Sequence, residues 1–276
     1  MPNSVLYTEV CRNNVEGVRE LLRTNGNETI EERGSLYFGS DDRQTPLQLA
    51  VRCGYEEIVK LLVRYNANVN IRNSDGGTLL HIAARNYFQG IVLVLTQAGV
   101  DVNVTDIWGD NALHECIKDH RGNIHGRLGI ASILIENGVD FNAVNLGGET
   151  CLHLAVDADD VDMCELLIAH GVDTEPVDSD GRTAEGVAYA LENIYTEDFK
   201  YDPSEENNML IHAHREMVEL LRLERERVEK HVEKERLHAI AMAFAGNHVN
   251  DPNQHRLLPE DTELMRLVME YLHFQE

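Results

Sequence analysis

Residues 150–173, TCLHLAVDADDVDMCELLIAHGVD, place four aspartates, Asp157, Asp159, Asp160 and Asp162, within six positions. Carboxylates this close could ligate a divalent cation or pass a proton. A calcium loop of the EF-hand type needs glycine at its sixth position and glutamate at its twelfth. Counted from Asp157, those positions hold Asp162 and Ile168, so the cluster is expected to be a solvated turn between two helices. A second group, His114, Cys116, His120 and His125, carries residue types that ligate zinc, and His120, His125 and a neighbour could form such a site. Nucleophile signatures are missing: the sequence has no G-x-S-x-G and no H-E-x-x-H, and GNIHGRLG lacks the lysine of a phosphate loop. What the aspartates and histidines can do is decided by the elements that carry them.

Those elements recur. TPLQLA begins at Thr45, TLLHIA at Thr78, NALHEC at Asn111, TCLHLA at Thr150 and TAEGVA at Thr183, at offsets of 33, 33, 39 and 33 residues. Thirteen residues after three of these anchors a second apolar run starts: IVKLLV from Ile58, IVLVLT from Ile91 and MCELLI from Met163. In the 39-residue unit the run IASILI starts at Ile130, six residues late, which puts an insertion in KDHRGNIHGR. A fixed period of this length is the mark of stacked repeats. Threonine suits a helix N-cap and proline the first helical position. Glycine or asparagine after the second run fits a left-handed cap, and the Asn/Asp/Gly-rich connectors supply turns.

The pattern resembles the ankyrin repeat, over about residues 3–225. The resemblance implies an all-α solenoid of helix-turn-helix units with β-hairpin-like connectors, about six units in all. A C-terminal helical extension is expected over 226–276, its charged first part continuing the last repeat helix to near Gly246. A degenerate first unit starts near Ser4, and insertions fall near 25–42, 119–128 and 196–208. The sixth unit delays its second helix to HREMVELLRL, with YTEDFKYDPSEENN looped out. Arg43 replaces the usual turn glycine of the second unit, and AEG stands in the sixth where Pro-Leu-His is expected. His81, His114 and His153 share one repeat position, where the resemblance implies a histidine bonded to backbone between units. Cys116 matches the small residues Ala83 and Ala155. Neither metal nor cofactor is therefore expected. Nor is enzyme activity, because an open solenoid face offers no dry pocket to shift a carboxylate.

Ankyrin stacks present hairpin tips and the first-helix face as one concave surface. On that pattern the tips carry Asp41, Asp42 and Gln44; Ser74 and Asp75; Ile107, Trp108 and Asp110; Leu146 and Glu149; then Ser179, Asp180 and Arg182. The helix face adds Arg52, Arg85, Asn86, Lys118, Asp119 and Asp157, with Asp159 and Asp160 beside it. Trp108, the single tryptophan, either folds onto a neighbouring tip or anchors a partner.

Lysine and arginine total 24 against 48 acids, a formal charge of −24, which repels nucleic acid and anionic lipid. No apolar run approaches the roughly 18 residues of a membrane span, and the N-terminus MPNSVLYTEVCRNN shows no signal peptide. Five scattered cysteines without C-x-x-C fit a reducing compartment, cytoplasmic or nuclear. From Asp140 to Glu206, 18 acids face only Arg182 and Lys200, so this stretch holds −16 of the total. It is either a solvated face or a field that steers a basic protein surface. The expected function is a non-catalytic, monomeric scaffold binding such a protein. Near the C-terminus, LPEDTELMRLVMEYL sets Leu264, Leu267, Val268, Tyr271 and Leu272 on one helical face, suited to covering the apolar end of the stack. The same stretch resembles the opening of an F-box, which many virus- and protist-encoded ankyrin proteins carry in truncated form. That resemblance implies a ubiquitin-ligase substrate adaptor, or a pathogen effector engaging a host signalling protein such as a kinase inside the host cell.

Overall fold

A seven-residue helix has too few internal hydrogen bonds to persist alone in water, yet this chain repeatedly uses helices of that length. The structure, a computed structural model, describes residues 4–25, 29–34, 43–118, 124–199 and 205–247. The chain divides into two compact units, residues 1–218 and 219–276. In the first, helices come in pairs: α1 (Val5–Cys11) with α2 (Val15–Asn25), α3 (Pro46–Arg52) with α4 (Glu56–Arg64), α5 (Leu79–Arg85) with α6 (Gln89–Gln97), α7 (Ala112–Lys118) with α8 (Ile124–Glu136), and α9 (Cys151–Asp157) with α10 (Val161–Ala169). Then come α11 (Ala184–Phe199) and the long α12 (Glu205–Asn247), whose first part belongs to the first unit and whose remainder belongs to the second. The short helices α1, α3, α5, α7 and α9, and after them the longer α11, pack in series as an inner layer, and α2, α4, α6, α8 and α10 pack in series as an outer one. No strand forms among the described residues, only the isolated bridges Gly34–Gln44 and Arg72–Thr78. The mostly helical two-layer stack matches the all-α solenoid expected.

Stacking supplies what each short helix lacks. Leu47, Leu80, Leu113 and Leu152 on the inner layer, and Ile58, Ile91, Ile130 and Met163 on the outer, are all buried. Each such side chain contributes roughly 1.5–3 kcal/mol by leaving water. Helix starts are held by capping boxes at Thr45 with Gln48, Thr78 with His81 and Thr150 with His153. The histidines add a link that glutamine does not. The Thr78 hydroxyl lies 2.8 Å from Nδ1 of His81, so Nδ1 accepts and Nε2–H donates to the Asp110 carbonyl at 3.0 Å. His153 repeats this with the Arg182 carbonyl at 3.0 Å. Burial pushes the His81 pKa below its usual value, which keeps the ring in the neutral tautomer this bridge needs.

Two insertions differ from the sequence expectation. The insertion in the fourth pair was placed over 119–128, but α8 already begins at Ile124, so its second half adds a helical turn. The stretch YTEDFKYDPSEENN was expected as a loop, yet α11 runs through Phe199 and α12 begins at Glu205. The extended α11 offers Glu192 to Arg215 of α12 at 2.8 Å and Tyr195 to the ring of His214, so the added turns are a packing surface. α12 ends at Asn247 and carries i,i+4 pairs such as Arg222–Glu226 and Lys230–Glu226 on its exposed surface. The F-box-like stretch, 258–272, lies outside the described residues.

Gly109 shows how tightly neighbouring connectors meet. It sits at φ +81°, and a Cβ there would come within 3.0 Å of the Leu146 nitrogen and 3.1 Å of the Asn145 Cα. Both obstacles are backbone and cannot swing aside. Gly109→Ala is therefore expected to cost about 1–3 kcal/mol, read as a lower denaturant midpoint. Gly138→Ala shares the positive φ but meets nothing within 4 Å, so it should cost measurably less.

Candidate interaction surface

The connector tips are built by one repeated device. Asn73, Asp106, Asn145 and Asp178 each accept two backbone N–H groups through Oδ1, those of residues two and four further on. In the third of these tips, for example, Asn145 Oδ1 takes Gly147 N at 2.9 Å and Glu149 N at 3.0 Å. A side chain thus closes each turn, as Asx residues commonly do. Successive tips are then joined by backbone: Ile107 N donates to Asp75 O at 2.9 Å, Leu146 N to Trp108 O at 2.9 Å, and Ser179 N to Gly147 O at 2.8 Å. These links place Ile107, Trp108 and Leu146 side by side, exposed to 57%, 47% and 79%. Three large apolar side chains therefore stand exposed on adjoining turns tied by backbone, an apolar ridge among the tips described.

Near that ridge two buried acids are already paired. Asp110, expected on the tip surface, is only 1% exposed. Its carboxylate takes Lys118 Nζ on one oxygen and Asn145 Nδ2 at 3.0 Å on the other. Buried Glu115 takes the Arg85 guanidinium. Oxygens of Asp106, Asp110 and Glu115 lie within 4.8 Å of one another, the arrangement closest to a cation site among the described residues. Arg85, Lys118, Asn145 and the turn N–H groups fill it instead, so it is charge-compensated by protein.

The aspartate cluster, which the sequence places in a solvated turn, is only partly solvated. Asp157 is exposed. Asp160 caps α10 by accepting from Met163 N at 3.0 Å and pairs with Arg127 at 2.8 Å, both side chains being 95% or more buried. Asp159, at φ +55° in the turn, lies 2.8 Å from His214. Arg127 is the residue that sequence reasoning missed. It sits in the extra turn of α8, which had been assigned to the insertion, and no periodic position marks it as a partner for an aspartate 33 residues away.

The other anticipated residues fall as follows. Gln44 is half-buried and its backbone bridges Gly34, with 2.8 and 2.9 Å bonds. Arg52 is exposed, Asp75 is half-buried at the tip beside Ile107, and exposed Asn86 donates to the Ile82 carbonyl at 2.8 Å. Glu149 accepts from Asn145, and Asp180 pairs with Arg182 at 2.6 Å. Asp41, Asp42, Asp119 and His120 lie outside the described residues, as does the side chain of His125. His114 is wholly buried, with its pKa lowered chiefly by burial, and the Cys116 thiol is pushed up to about 12 by the same cause. Neither is poised as a ligand or nucleophile.

A family model of ankyrin repeats matches three times, over residues 6–106, 65–145 and 113–230. The chain belongs to the ankyrin repeat family. Ankyrin repeats are in general protein–protein interaction modules, and the family is typically non-catalytic. Comparison with curated proteins gives no match.

The buried pair separates structural from surface aspartates. Removing one partner of a desolvated ion pair strands the other charge, at about 3–5 kcal/mol. Arg127→Met should therefore lower the unfolding free energy by that amount in urea titrations, whereas Asp157→Lys should change it by no more than about 0.5 kcal/mol.

Proposed function

We propose that the chain is a non-catalytic scaffold that grips a protein partner along the side shared by its tips and inner helices, from about the fourth to the sixth of six repeat units. The observation that carries this is the exposure of Ile107, Trp108 and Leu146 on turns tied to one another by backbone bonds. Tryptophan is among the side chains most enriched in interface hot spots, and apolar neighbours on a fixed frame exclude water around it at little cost in side-chain entropy. Arg85, Lys118 and Arg182 along this side are engaged by Glu115, Asp110 and Asp178 with Asp180. The charge left over is acidic, from Asp75, Glu149 and Asp157 and from one net negative charge on the Asp178–Asp180–Arg182 group, which favours a partner whose contact surface is basic. Free cysteines, three of them buried, support action in a reducing compartment such as cytoplasm or nucleus. A ubiquitin-ligase adaptor role rests on LPEDTELMRLVMEYL and would show as a cullin complex that co-purifies with the chain and is lost on truncation at Asn253.

The binding kinetics of a captured partner test the proposal. Trp108→Ala should weaken binding by about 2 kcal/mol or more, mostly through faster dissociation. Asp157→Lys combined with Asp180→Lys should instead slow association and flatten its salt dependence. Glu136→Lys and Glu165→Lys, exposed on the outer helices α8 and α10, are controls. Equal impairment by these controls would remove the ridge from the account.

A further inference from the structure

His214 of α12 is a histidine of a different kind from those at the repeat position. Its side chain is wholly buried. Nδ1 lies 2.8 Å from the Leu210 carbonyl oxygen, which can only accept, so Nδ1 carries a hydrogen. Nε2 lies 2.8 Å from Oδ1 of Asp159, an ion-pair distance without hydrogen-bond alignment, and no other group satisfies either atom. A neutral ring protonated on Nδ1 would point a lone pair at a carboxylate. The arrangement is satisfied by a second proton, which makes the ring an imidazolium paired with Asp159.

The surroundings agree. From α11, Glu192 contributes negative charge, although Arg215 on the histidine's own helix pairs with it at 2.8 Å, and the Tyr195 ring lies against the imidazole with centroids 5.1 Å apart. From α10, Cys164 meets Met217, one turn along α12, at 3.8 Å, and its thiol is held protonated by burial. Asp160, the neighbour of Asp159, is already neutralised by Arg127. Burial alone would pull the His214 pKa down, but Asp159, the Leu210 carbonyl and Glu192 outweigh it and the net shift is upward.

We propose that Asp159 and His214 form a proton-dependent latch, which fastens the first part of α12 to the turn between α9 and α10 and opens when the proton is lost. The sign follows from linkage. A base whose pKa is raised in the folded state contributes its full stabilisation below its unfolded value, about 6.5, and loses it as pH climbs through the folded value. The latch is therefore closed in mildly acidic solution and weakens as pH climbs above the ordinary histidine value. The neutral His81 has the opposite sign, since charging it on acidification opposes folding. Global stability thus mixes the two, and a local readout is needed.

Hydrogen exchange by mass spectrometry on the full chain, at about pH 6 and about pH 8.5 and corrected for the chemical exchange rate, supplies that readout. Protection of residues 205–218 should fall several-fold at the higher pH while residues 79–97 hold theirs. In His214→Gln and Asp159→Asn, protection of 205–218 should be low at both values and independent of pH. Equal wild-type protection at both values, or a pH dependence that survives in His214→Gln, overturns the latch. Should either variant fail to fold, the His214 ring can be titrated by NMR in the wild type. Its midpoint should lie above that of the same ring in urea-unfolded protein, and a midpoint at or below it overturns the proposal.

Discussion

Every inner helix from α1 to α9 is seven residues long, and none can bury its apolar side within its own pair. That constraint makes contact between successive pairs the source of stability, and the rest of the architecture serves it. Leucines and isoleucines fill the interior between pairs. The cap histidines reach one unit forward to a carbonyl, and the tips are tied in sequence by backbone bonds. In such a quasi-one-dimensional stack each pair depends on its neighbours. A rigid row of tips is the by-product of that dependence, and it is on this row that the exposed apolar side chains stand.

Charge follows the same logic. A sequence with twice as many acids as bases invites the view that its acidic stretches face solvent freely. In the centre of the stack many do not. Asp110, Glu115 and Asp160 are buried and matched with Lys118, Arg85 and Arg127, because a carboxylate taken out of water must find a cation or several N–H donors. Asp106, Asn145 and Asp178 are occupied in closing turns. What remains exposed is a smaller set of acids and the apolar side chains of the tips, which is a sharper feature than a uniformly negative face.

The repeat, the anchors and the two helical layers were legible because the sequence carries them several times over at a fixed spacing. Trp108 and Leu146 could be placed on tips by the same register. Hidden from it were the fates of single acids. Asp159 and Asp160 are adjacent in sequence, but one meets His214 from α12 and the other meets Arg127 from an added turn of α8. Both partners lie in segments where the period breaks, and a periodic argument has nothing to say about a residue that occurs once. The same holds for the lengthened α11, whose extra turns were mistaken for a loop because they continue past the point where other inner helices stop.

The proposed recognition runs along the ridge of Ile107, Trp108 and Leu146 and not over the outer helices. Site-specific photocrosslinking tests it most directly, with a photoreactive side chain installed at Leu146 in one sample and at Leu93 in another. Leu93 is also exposed but lies on the outer helix α6. The account predicts that light joins the partner to the Leu146 position and leaves the Leu93 position unattached. Crosslinks of equal yield from both, or from Leu93 alone, would contradict it.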